Sequence, residues 1–405
     1  MPESPIAEVP PAELWSLDPG SIYLNHGSFG CCPRPVLAFQ NRLRAEMEGQ
    51  PMRFLVRELE ERLDEARASV ARFVGAQADE LVFLSNTTEA VNTVFRSLAF
   101  EPGDEILTTD HTYAACHNAL VFAADRRKAR VVRARIPFPI DHPDEVVDRI
   151  LGAVTDRTRM ALIDHVTSPT ALVFPIEKIV RALEEKGIDT FVDGAHAPGM
   201  VPVDLEALGA AYYAANGHKW LCGPKTSAIL RVRSDKQAKI RPLTISHGAS
   251  SRRTDRSRFQ LEFGWTGTRD PTAFLALPEA IRIIENQTPE GWEGVRDQNR
   301  ALALAARDHL CSALGIPAPC PEEMVGSMAA IPLPKATEVR LSRSPLYEDP
   351  LQKTLLEHGI EVPIAPWPAP LGRVLRVSAQ RYNAIGDFEE LARILRLCGP
   401  DLAPL

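Results

Sequence analysis

The 405-residue sequence is poor in cysteine, and its few cysteines form no regular pattern. It has seven of them, an odd number, and no two stand in a Cys-x-x-Cys pair. A disulfide framework or a zinc ribbon requires such pairs, so neither is indicated. Cys116 and His117 lie near His111, but their spacing matches no standard metal site. We therefore expect no metal, and we expect buried free thiols.

The sequence also lacks an excess of positive charge and lacks long apolar runs. Its 46 Lys and Arg residues are outnumbered by 53 Asp and Glu residues, which gives a net charge of −7. Nucleic-acid binders usually carry a basic balance, so that class is disfavoured. No run approaches the about 18 apolar residues that a membrane span needs. The start, 1–15, is acidic and proline-rich, unlike a secretory signal. We expect no membrane partner and a cytoplasmic location.

What the sequence does contain is a repeated alternation of strand-like and helix-like stretches. The predicted strands are 81–84, 105–110, 129–136, 159–166, 188–193, 211–216 and 227–233. Several are continuous apolar runs, which suits strands buried on both faces. Helical patterns such as 55–75 and 175–187 accompany them. This alternation predicts an α/β fold with a mostly parallel, seven-stranded sheet flanked by helices.

The pattern of predicted helices and strands changes after about residue 275. A long helical pattern at 294–315 leads into a proline-rich region with short strand candidates. We interpret this part as a smaller α+β domain. The predicted organisation is an N-terminal arm at 1–30, a large α/β domain at 31–275 and a small C-terminal domain at 276–405.

Polar residues follow several of the predicted strands directly. They are Asp110, His111, Thr167, Ser168, Asp193 and Lys219. In open parallel sheets, ligands bind beyond the carboxyl ends of the strands. We therefore expect these side chains to meet at the rim of one crevice.

The lysine of this set has an unusual setting. Lys219 stands between His218 and Trp220, at the end of an apolar strand. Partial desolvation lowers the pKa of an amine, and the neutral amine can react with a carbonyl compound. Asp193 lies 26 residues earlier on a neighbouring strand. A carboxylate there suits a protonated pyridine nitrogen.

A helix is predicted to open directly after the strand at 81–84. Ser85 to Thr88 place hydroxyl and backbone N–H groups at its positive end, which suits a phosphate. A simple helix N-cap is the alternative. Together with Lys219 and Asp193, the phosphate site is the favoured interpretation.

Seven motifs give these features a family context. They are YLNHGSFG (23–30), GDEILTTDHTYAACHNAL (103–120), LIDHVTSPTALVFPI (162–176), VDGAHAPGM (192–200), NGHKWLCGPK (216–225), ISHG (245–248) and WTGTRDPTAF (265–274). The sequence resembles the class V aminotransferase family, which uses pyridoxal phosphate and has fold type I. Within it, the sequence is similar to isopenicillin N epimerase and its relatives. The match runs through about two-thirds of the chain.

The resemblance implies roles for the matched residues around the cofactor ring. Lys219 would bind the cofactor covalently and then move protons at the substrate α-carbon. Asp193 would face the ring nitrogen, and His196 would donate to the phenolic oxygen. His111 would stack on the ring, with Tyr113 as a weaker candidate.

Other matched residues would hold the phosphate or the substrate. The implied phosphate and cofactor contacts are Thr87, Thr88, Ser168, Asn216 and His218. Thr268 would reach the cofactor phosphate of a neighbouring subunit, which implies a homodimer with shared sites. Arg376 would clamp the substrate α-carboxylate through a bidentate pair. Asn25, His26 and Tyr113 would contact the substrate, although Asn25 and His26 could instead only shape the mouth of the site.

The motifs predict a reaction at the α-carbon of an amino acid, and several outcomes stay open. Epimerisation is preferred. The alternatives are β-elimination by a C–S lyase, or transamination, of an S-substituted cysteine in a secondary-metabolite pathway. Epimerisation needs a second proton donor, for which His26, Tyr113 and a water are candidates. Persulfide chemistry is disfavoured because 359–376, before the substrate arginine, has no cysteine.

Overall fold

The computed structural model describes residues 11–336 and 349–398. Parts of the predicted arm and small domain, namely 1–10, 337–348 and 399–405, lie outside the described residues. The helices are α1 (Pro11–Leu14), α2 (His26–Phe29), α3 (Arg34–Gly49), α4 (Leu59–Val74), α5 (Thr87–Ser97), α6 (Ala114–Asp125), α7 (Asp144–Gly152), α8 (Ile176–Glu184), α9 (Leu205–Leu208), α10 (Arg258–Gly264), α11 (Thr272–Leu275), α12 (Leu277–Glu285), α13 (Trp292–Leu314), α14 (Pro350–Glu357) and α15 (Ile385–Cys398). Within these ranges, no helix is long and apolar enough to cross a membrane.

The strands form one large and two small sheets. They are β1 (Ile22–Tyr23), β2 (Leu81–Leu84), β3 (Glu105–Thr109), β4 (Arg130–Ala134), β5 (Thr158–Asp164), β6 (Asp189–Asp193), β7 (Tyr212–Asn216), β8 (Ala228–Val232), β9 (Met328–Leu333), β10 (Ile360–Glu361), β11 (Ile364–Ala365) and β12 (Arg373–Ser378). The large sheet has seven strands in the order β2-β8-β7-β6-β5-β3-β4. In this sheet, β8 alone runs opposite to the other six strands, so the predicted mostly parallel sheet is confirmed.

Both faces of the large sheet are covered by helices, as the apolar strand sequences predict. In β2, Leu81 and Phe83 enter the apolar core on one face, and Val82 and Leu84 enter the core on the other. Successive side chains of a strand point to opposite faces. Both sets must therefore be apolar, which explains why the strand is a continuous apolar run.

The C-terminal part forms a smaller layer beside the large sheet. Strands β11, β12 and β9 make an antiparallel sheet, and α13 and α15 pack together beside it. The N-terminal arm is tied to this part because β1 pairs with β10. Helix α12 instead packs on α3 and α4, and its Ile281 and Ile284 belong to the large-domain core. The boundary between the large domain and the smaller C-terminal layer therefore lies closer to α13 than to residue 276.

The helix predicted at 55–75 differs from the structure at its start. A π-helical turn at Arg53–Glu58 precedes α4. Phe54 and Leu59 are buried while Leu55 is only half-buried. Residues five apart share a face in a π-turn, in which hydrogen bonds span five residues. The predicted end is confirmed, since Gly75 closes α4 in the left-handed conformation with φ 62°.

A buried ion pair links β8 to the turn before β2. The Arg231 side chain is 6% exposed and that of Glu80 is 9% exposed. Arg231 Nε donates to Glu80 Oε2 at 2.7 Å, and Nη1 donates to the Ala210 carbonyl at 2.6 Å. The Ser234 backbone N–H donates to the other Glu80 oxygen at 2.8 Å. The carboxylate is therefore fully bonded only while the arginine is present.

Replacing Arg231 by methionine should strongly destabilise the protein because Glu80 would be left buried and unpaired. We expect a loss of about 3–5 kcal/mol in the free energy of unfolding, measured by urea denaturation. Arg393→Met is the matched control, since Arg393 pairs with Glu390 at the surface and should cost less than about 1 kcal/mol. Equal losses for the two variants would contradict this account of the pair.

Candidate active site

Three neighbouring strands of the large sheet end beside one another and place the central residues of the site. Asp164 ends β5 and lies in register with Asp193, which ends β6. Asp193 lies in register with Ala214 of β7, and Lys219 follows the end of β7. A lysine and two carboxyl groups thus come from the carboxyl edge of the sheet, where the sequence predicted a site.

Lys219 is half-buried as a whole residue, and its amine lies at the desolvated end of the side chain. Its Nζ lies 3.0 Å from Nε2 of His196. Burial, together with the positive charge of Arg376, lowers the pKa of the Lys219 amine to about 7, against the opposing effect of Asp193. A large fraction of the amine is therefore neutral near pH 7, and a neutral amine can act as a nucleophile or a base.

The carboxyl group of Asp193 is positioned by two uncharged donors. The Ala195 backbone N–H donates to Oδ1 at 3.0 Å, and the Cys116 thiol donates to Oδ2 at 3.4 Å. Burial raises the pKa of Asp193, while both donors and Lys219 act to lower it. A positive group bound at this carboxyl, such as a protonated ring nitrogen, would favour its ionised form.

The start of α5 offers donors for an anion beside these residues. The Thr87 backbone N–H donates to Oδ1 of Asn216 at 3.0 Å. The Thr87 hydroxyl is buried and has no hydrogen-bond partner, while Asn86 caps the helix by accepting from the Glu89 N–H at 2.8 Å. The helix cap is therefore confirmed at Asn86, and the phosphate site stays a prediction for which the Thr87 hydroxyl is available.

These features fit the pyridoxal phosphate suggested by the sequence. The unpartnered Thr87 hydroxyl at a helix N-terminus suits the phosphate. Asp193 suits the ring nitrogen, and the amine of Lys219 suits the aldehyde carbon. Thr88 is half-buried in the same helical turn, and its contact with the phosphate stays a prediction.

His218 fits the predicted phosphate role less well. Its Nδ1–H donates to the Ser227 carbonyl at 3.0 Å, so the neutral ring presents only an acceptor at Nε2. Burial, together with the charges of Lys219 and Lys225, lowers the pKa of His218 to about 4. The ring could donate to a phosphate only as the imidazolium, which these surroundings disfavour. Oδ1 of Asn216 already accepts from the Thr87 N–H, so its predicted contact with the phosphate stays a prediction.

Arg376 reaches the site from β12 of the smaller sheet. Its Nη1 donates to the carbonyl oxygen of Ser168 at 2.6 Å, and its Nη2 donates to the hydroxyl of Ser28 at 2.9 Å. Ser168 therefore holds the arginine in this structure, whereas the sequence assigned it to the cofactor. The positive charge of Arg376 acts on the Lys219 amine and lowers its pKa. An anionic group such as a carboxylate would be stabilised between them.

The structure changes the preference between the two candidates for stacking on the cofactor. His111 is fully buried, accepts from Thr170 Oγ1 at 2.6 Å and donates to the Ile136 carbonyl at 3.0 Å. The centroid of its ring lies 4.3 Å from that of the Trp367 ring, so His111 is part of the packed interior. Tyr113 is 43% exposed. The preference therefore passes from His111 to Tyr113, because only Tyr113 presents an accessible ring.

His26 and Asn25 support the site from the N-terminal arm. His26 is fully buried, donates to the Lys219 carbonyl at 3.1 Å and accepts from the Tyr382 hydroxyl at 3.0 Å. Burial lowers its pKa to about 3. Asn25 accepts from Ser28 at 2.5 Å and donates to Glu361 at 3.4 Å. These contacts favour the interpretation that both residues shape the site, and they leave His26 no free nitrogen for a substrate.

Gly30 lets this arm approach the lysine closely. Its φ is +66°, and a Cβ atom there would lie 2.1 Å from the His218 carbonyl oxygen. Lys225 donates to the Gly30 carbonyl at 2.9 Å on the same side. Any side chain at position 30 would therefore push the arm away from Lys219. Thr268 is exposed, and its role toward a second subunit stays a prediction.

The sequence interpretation missed Asp164, Cys116 and Ser28. Asp164 is 2% exposed and accepts from the Thr112 hydroxyl at 3.2 Å. Burial and the neighbouring Asp193 raise the pKa of Asp164 well above its ordinary value, which favours the neutral acid. A signal for Asp164 was present, because it interrupts the apolar stretch at 159–166 shortly before Thr167 and Ser168.

Comparisons with known proteins agree with the fold and show the family. The family model for Aminotransferase class-V matches residues 23–340. An isopenicillin N epimerase from Amycolatopsis lactamdurans is 36% identical, over 95% of this chain and 96% of that protein. A probable chloroplastic L-cysteine desulfhydrase from Arabidopsis thaliana is 32% identical, over 92% of this chain and 82% of that protein. A solved C-DES variant, with glycine covalently linked to its pyridoxal phosphate cofactor, superposes with a TM-score of 0.74 at 19% identity, covering 93% and 96% of the two chains.

Removing the buried amine should change how the stability of the cofactor-free protein depends on pH. Between its ordinary pKa of 10.5 and its folded pKa of about 7, the amine is charged only in the unfolded chain. Stability therefore falls as the pH is lowered through this window and stays level below it. Lys219→Met has no amine at this position and does not lose stability in this way. As the pH is lowered through the window, its free energy of unfolding should therefore rise relative to that of the wild type by up to about 1.4 kcal/mol per pH unit.

The measurement is urea denaturation of both proteins at several pH values across the window. Lys178→Met is the control because Lys178 is a surface residue that pairs with Asp144. The free energy of unfolding of this variant should not rise relative to that of the wild type as the pH is lowered through the window. Parallel stability curves for wild type and Lys219→Met would contradict a buried neutral amine.

Removing the unpartnered hydroxyl at the start of α5 should weaken cofactor binding. A hydrogen bond to a charged group contributes about 1.5–3 kcal/mol, so Thr87→Val should raise the Kd of pyridoxal phosphate about 10- to 100-fold. Thr93→Val is a matched control, since Thr93 lies in the same helix and its buried hydroxyl is also unpartnered. Equal Kd values for Thr87→Val and the control, measured by fluorescence titration, would contradict the phosphate site.

Proposed function

The chain belongs to the class V aminotransferase family of pyridoxal phosphate enzymes with fold type I, and we propose that it inverts the α-carbon of an amino acid substrate. The observation that carries the proposal is the Lys219 amine, 3.0 Å from His196, in the same charge environment as the accessible phenol of Tyr113, since Arg376 and Asp193 act on both groups. An epimerase needs one group that removes the α-proton and another that returns a proton to the opposite face.

The cofactor and the substrate would be held by separate parts of the site. When bound, pyridoxal phosphate supplies an electron sink that stabilises negative charge at the substrate α-carbon. Asp193 would hold the ring nitrogen in its protonated form, and Thr87 would donate to the phosphate. Arg376, aligned by Ser28 and Ser168, would bind the substrate carboxylate.

The proton balance requires only groups that the chain provides. Lys219 in its neutral form takes the α-proton on one face. Burial raises the pKa of Tyr113, so its phenol stays protonated at neutral pH and can give a proton to the other face. The α-carbon loses one proton and gains one, without oxidation or reduction. Because Tyr113 is 43% exposed, solvent can restore its proton.

A β-eliminating C–S lyase is the second candidate, and the desulfhydrase relatives favour it. Isopenicillin N epimerases and L-cysteine desulfhydrases match this chain at similar identity, 36% and 33% against 32% and 33%. In that reaction Lys219 would again take the α-proton, and the sulfur substituent would leave from the β-carbon. A desulfurase is disfavoured because residues 359–376 contain no cysteine, and Trp367 in this stretch packs on His111.

We also propose a homodimer in the cytoplasm. Thr268 lies exposed in the WTGTRDP stretch that resembles a phosphate contact across subunits. Size-exclusion chromatography with light scattering tests the dimer, and loss of pyridoxal phosphate binding in Thr268→Val tests the shared site.

The reaction is tested with a panel of amino acids and S-substituted cysteines in heavy water. For the wild type we expect inversion with deuterium at the α-carbon and no pyruvate. Tyr113→Phe should still exchange the α-proton for deuterium with retention of configuration, because Lys219 can remove and return the proton on its own face. The rate of inversion should fall by about 100-fold or more. Tyr212→Phe, which removes a phenol buried beside Phe191, is the control and should behave as wild type.

The other outcomes separate the alternatives. Pyruvate released from S-substituted cysteines without inversion would replace the epimerase by the lyase. Absence of both α-exchange and pyruvate for the whole panel would contradict chemistry at the α-carbon. Inversion that persists in Tyr113→Phe would exclude Tyr113 as the second acid.

A further inference from the structure

A tryptophan, a histidine and the lysine of the site form a row of side-chain nitrogens. Trp220 Nε1 lies 3.4 Å from His196 Nδ1, and His196 Nε2 lies 3.0 Å from Lys219 Nζ. Trp220 is 1% exposed and packs against the ring of His26 with centroids 4.8 Å apart. The indole therefore has a fixed orientation behind His196.

The direction of the first hydrogen bond follows from the chemistry of the indole. An indole N–H can only donate, so Nδ1 of His196 must accept. His196 is 2% exposed, and its pKa lies well below the ordinary value because of burial. The positive charges of Lys219 and Arg376, and those of His26 and His218 when protonated, act in the same direction. His196 is therefore neutral, and its single N–H must be on Nε2.

The second hydrogen bond then acts on the lysine. Nε2–H of His196 points at the Lys219 amine, so the amine must accept, which only the neutral amine can do. An ammonium group at this position would face the N–H with another N–H. The other groups around Lys219 are Arg376, which also favours the neutral amine, and Asp193 and Cys116, which favour the charged amine.

We infer that Trp220 is a positioning residue that fixes the tautomer of His196 and thereby selects the neutral form of Lys219. The same Nε2–H is then the donor available to the phenolic oxygen of the cofactor, a part of the inference that rests on the proposed function. The role explains how a lysine beside a carboxyl group keeps the form that accepts a proton.

The tautomer can be measured without any turnover. Histidine-selective ¹⁵N labelling of the full chain reports which ring nitrogen carries the proton, and the loss of one signal pair in His196→Gln assigns the residue. We expect His196 in the wild type, free of cofactor and near pH 7, to carry its proton on Nε2. In Trp220→Phe, we expect a mixture of the two tautomers. Trp265→Phe, which alters a half-buried tryptophan elsewhere, should match the wild type.

The consequence for the lysine is read from the pH dependence of pyridoxal phosphate capture by the cofactor-free chain. Loss of one hydrogen bond of about 1 kcal/mol should raise the apparent pKa of Lys219 in Trp220→Phe by roughly half to one unit. In the His196→Gln variant, the side-chain amide can donate to Lys219 and has no tautomers to select. Adding Trp220→Phe to this variant should therefore leave the pH dependence of pyridoxal phosphate capture unchanged.

The proton found on Nδ1 in the wild type would overturn the inference, even if Trp220→Phe failed to fold. An unchanged tautomer and an unchanged capture profile in Trp220→Phe would also overturn it. Failure of the wild type to capture pyridoxal phosphate would instead contradict the proposed function, and the nitrogen signals of the cofactor-free chain would still test the tautomer.

Discussion

The burial of one amine at the carboxyl edge of the large sheet is the constraint on which the site depends. Lys219 lies where an apolar strand ends, and the arm at His26 and Gly30 covers its backbone. Desolvation shifts the amine toward its neutral form. The surrounding groups then tune this form in opposite directions, with Arg376 opposing Asp193. The balance between these charges sets the pKa of the Lys219 amine and therefore the fraction of it that can react.

The sequence predicted the large sheet and the pair of Lys219 and Asp193 because both depend on local pattern. Strands buried on both faces must be apolar along their whole length, so several of the seven strands were visible as apolar runs. Residues directly after such runs lie at one edge of a parallel sheet by topology. The π-turn before α4 was not predictable from a 3.6-residue period, since Phe54 and Leu59 share a face only through a five-residue spacing.

Roles that depend on side-chain surroundings could not be predicted from the sequence. His111 and Tyr113 stand two residues apart in one motif, and only tertiary packing makes the first a core residue and the second accessible. His26 carries the same chemical group as His196, yet its nitrogens bond the Lys219 carbonyl and the Tyr382 hydroxyl, whereas Nε2 of His196 faces the Lys219 amine. The resemblance to known enzymes identifies positions, whereas hydrogen bonds decide what each position can do.

The central claim is that the aldehyde of pyridoxal phosphate is bound by the amine of Lys219 and by no other lysine. Borohydride reduction of the loaded protein, followed by peptide mapping with mass spectrometry, tests it most directly. The account predicts a single pyridoxyl group on the peptide that contains Lys219. A label on Lys225, which lies six residues further and donates to Gly30, or the absence of any label, would contradict it.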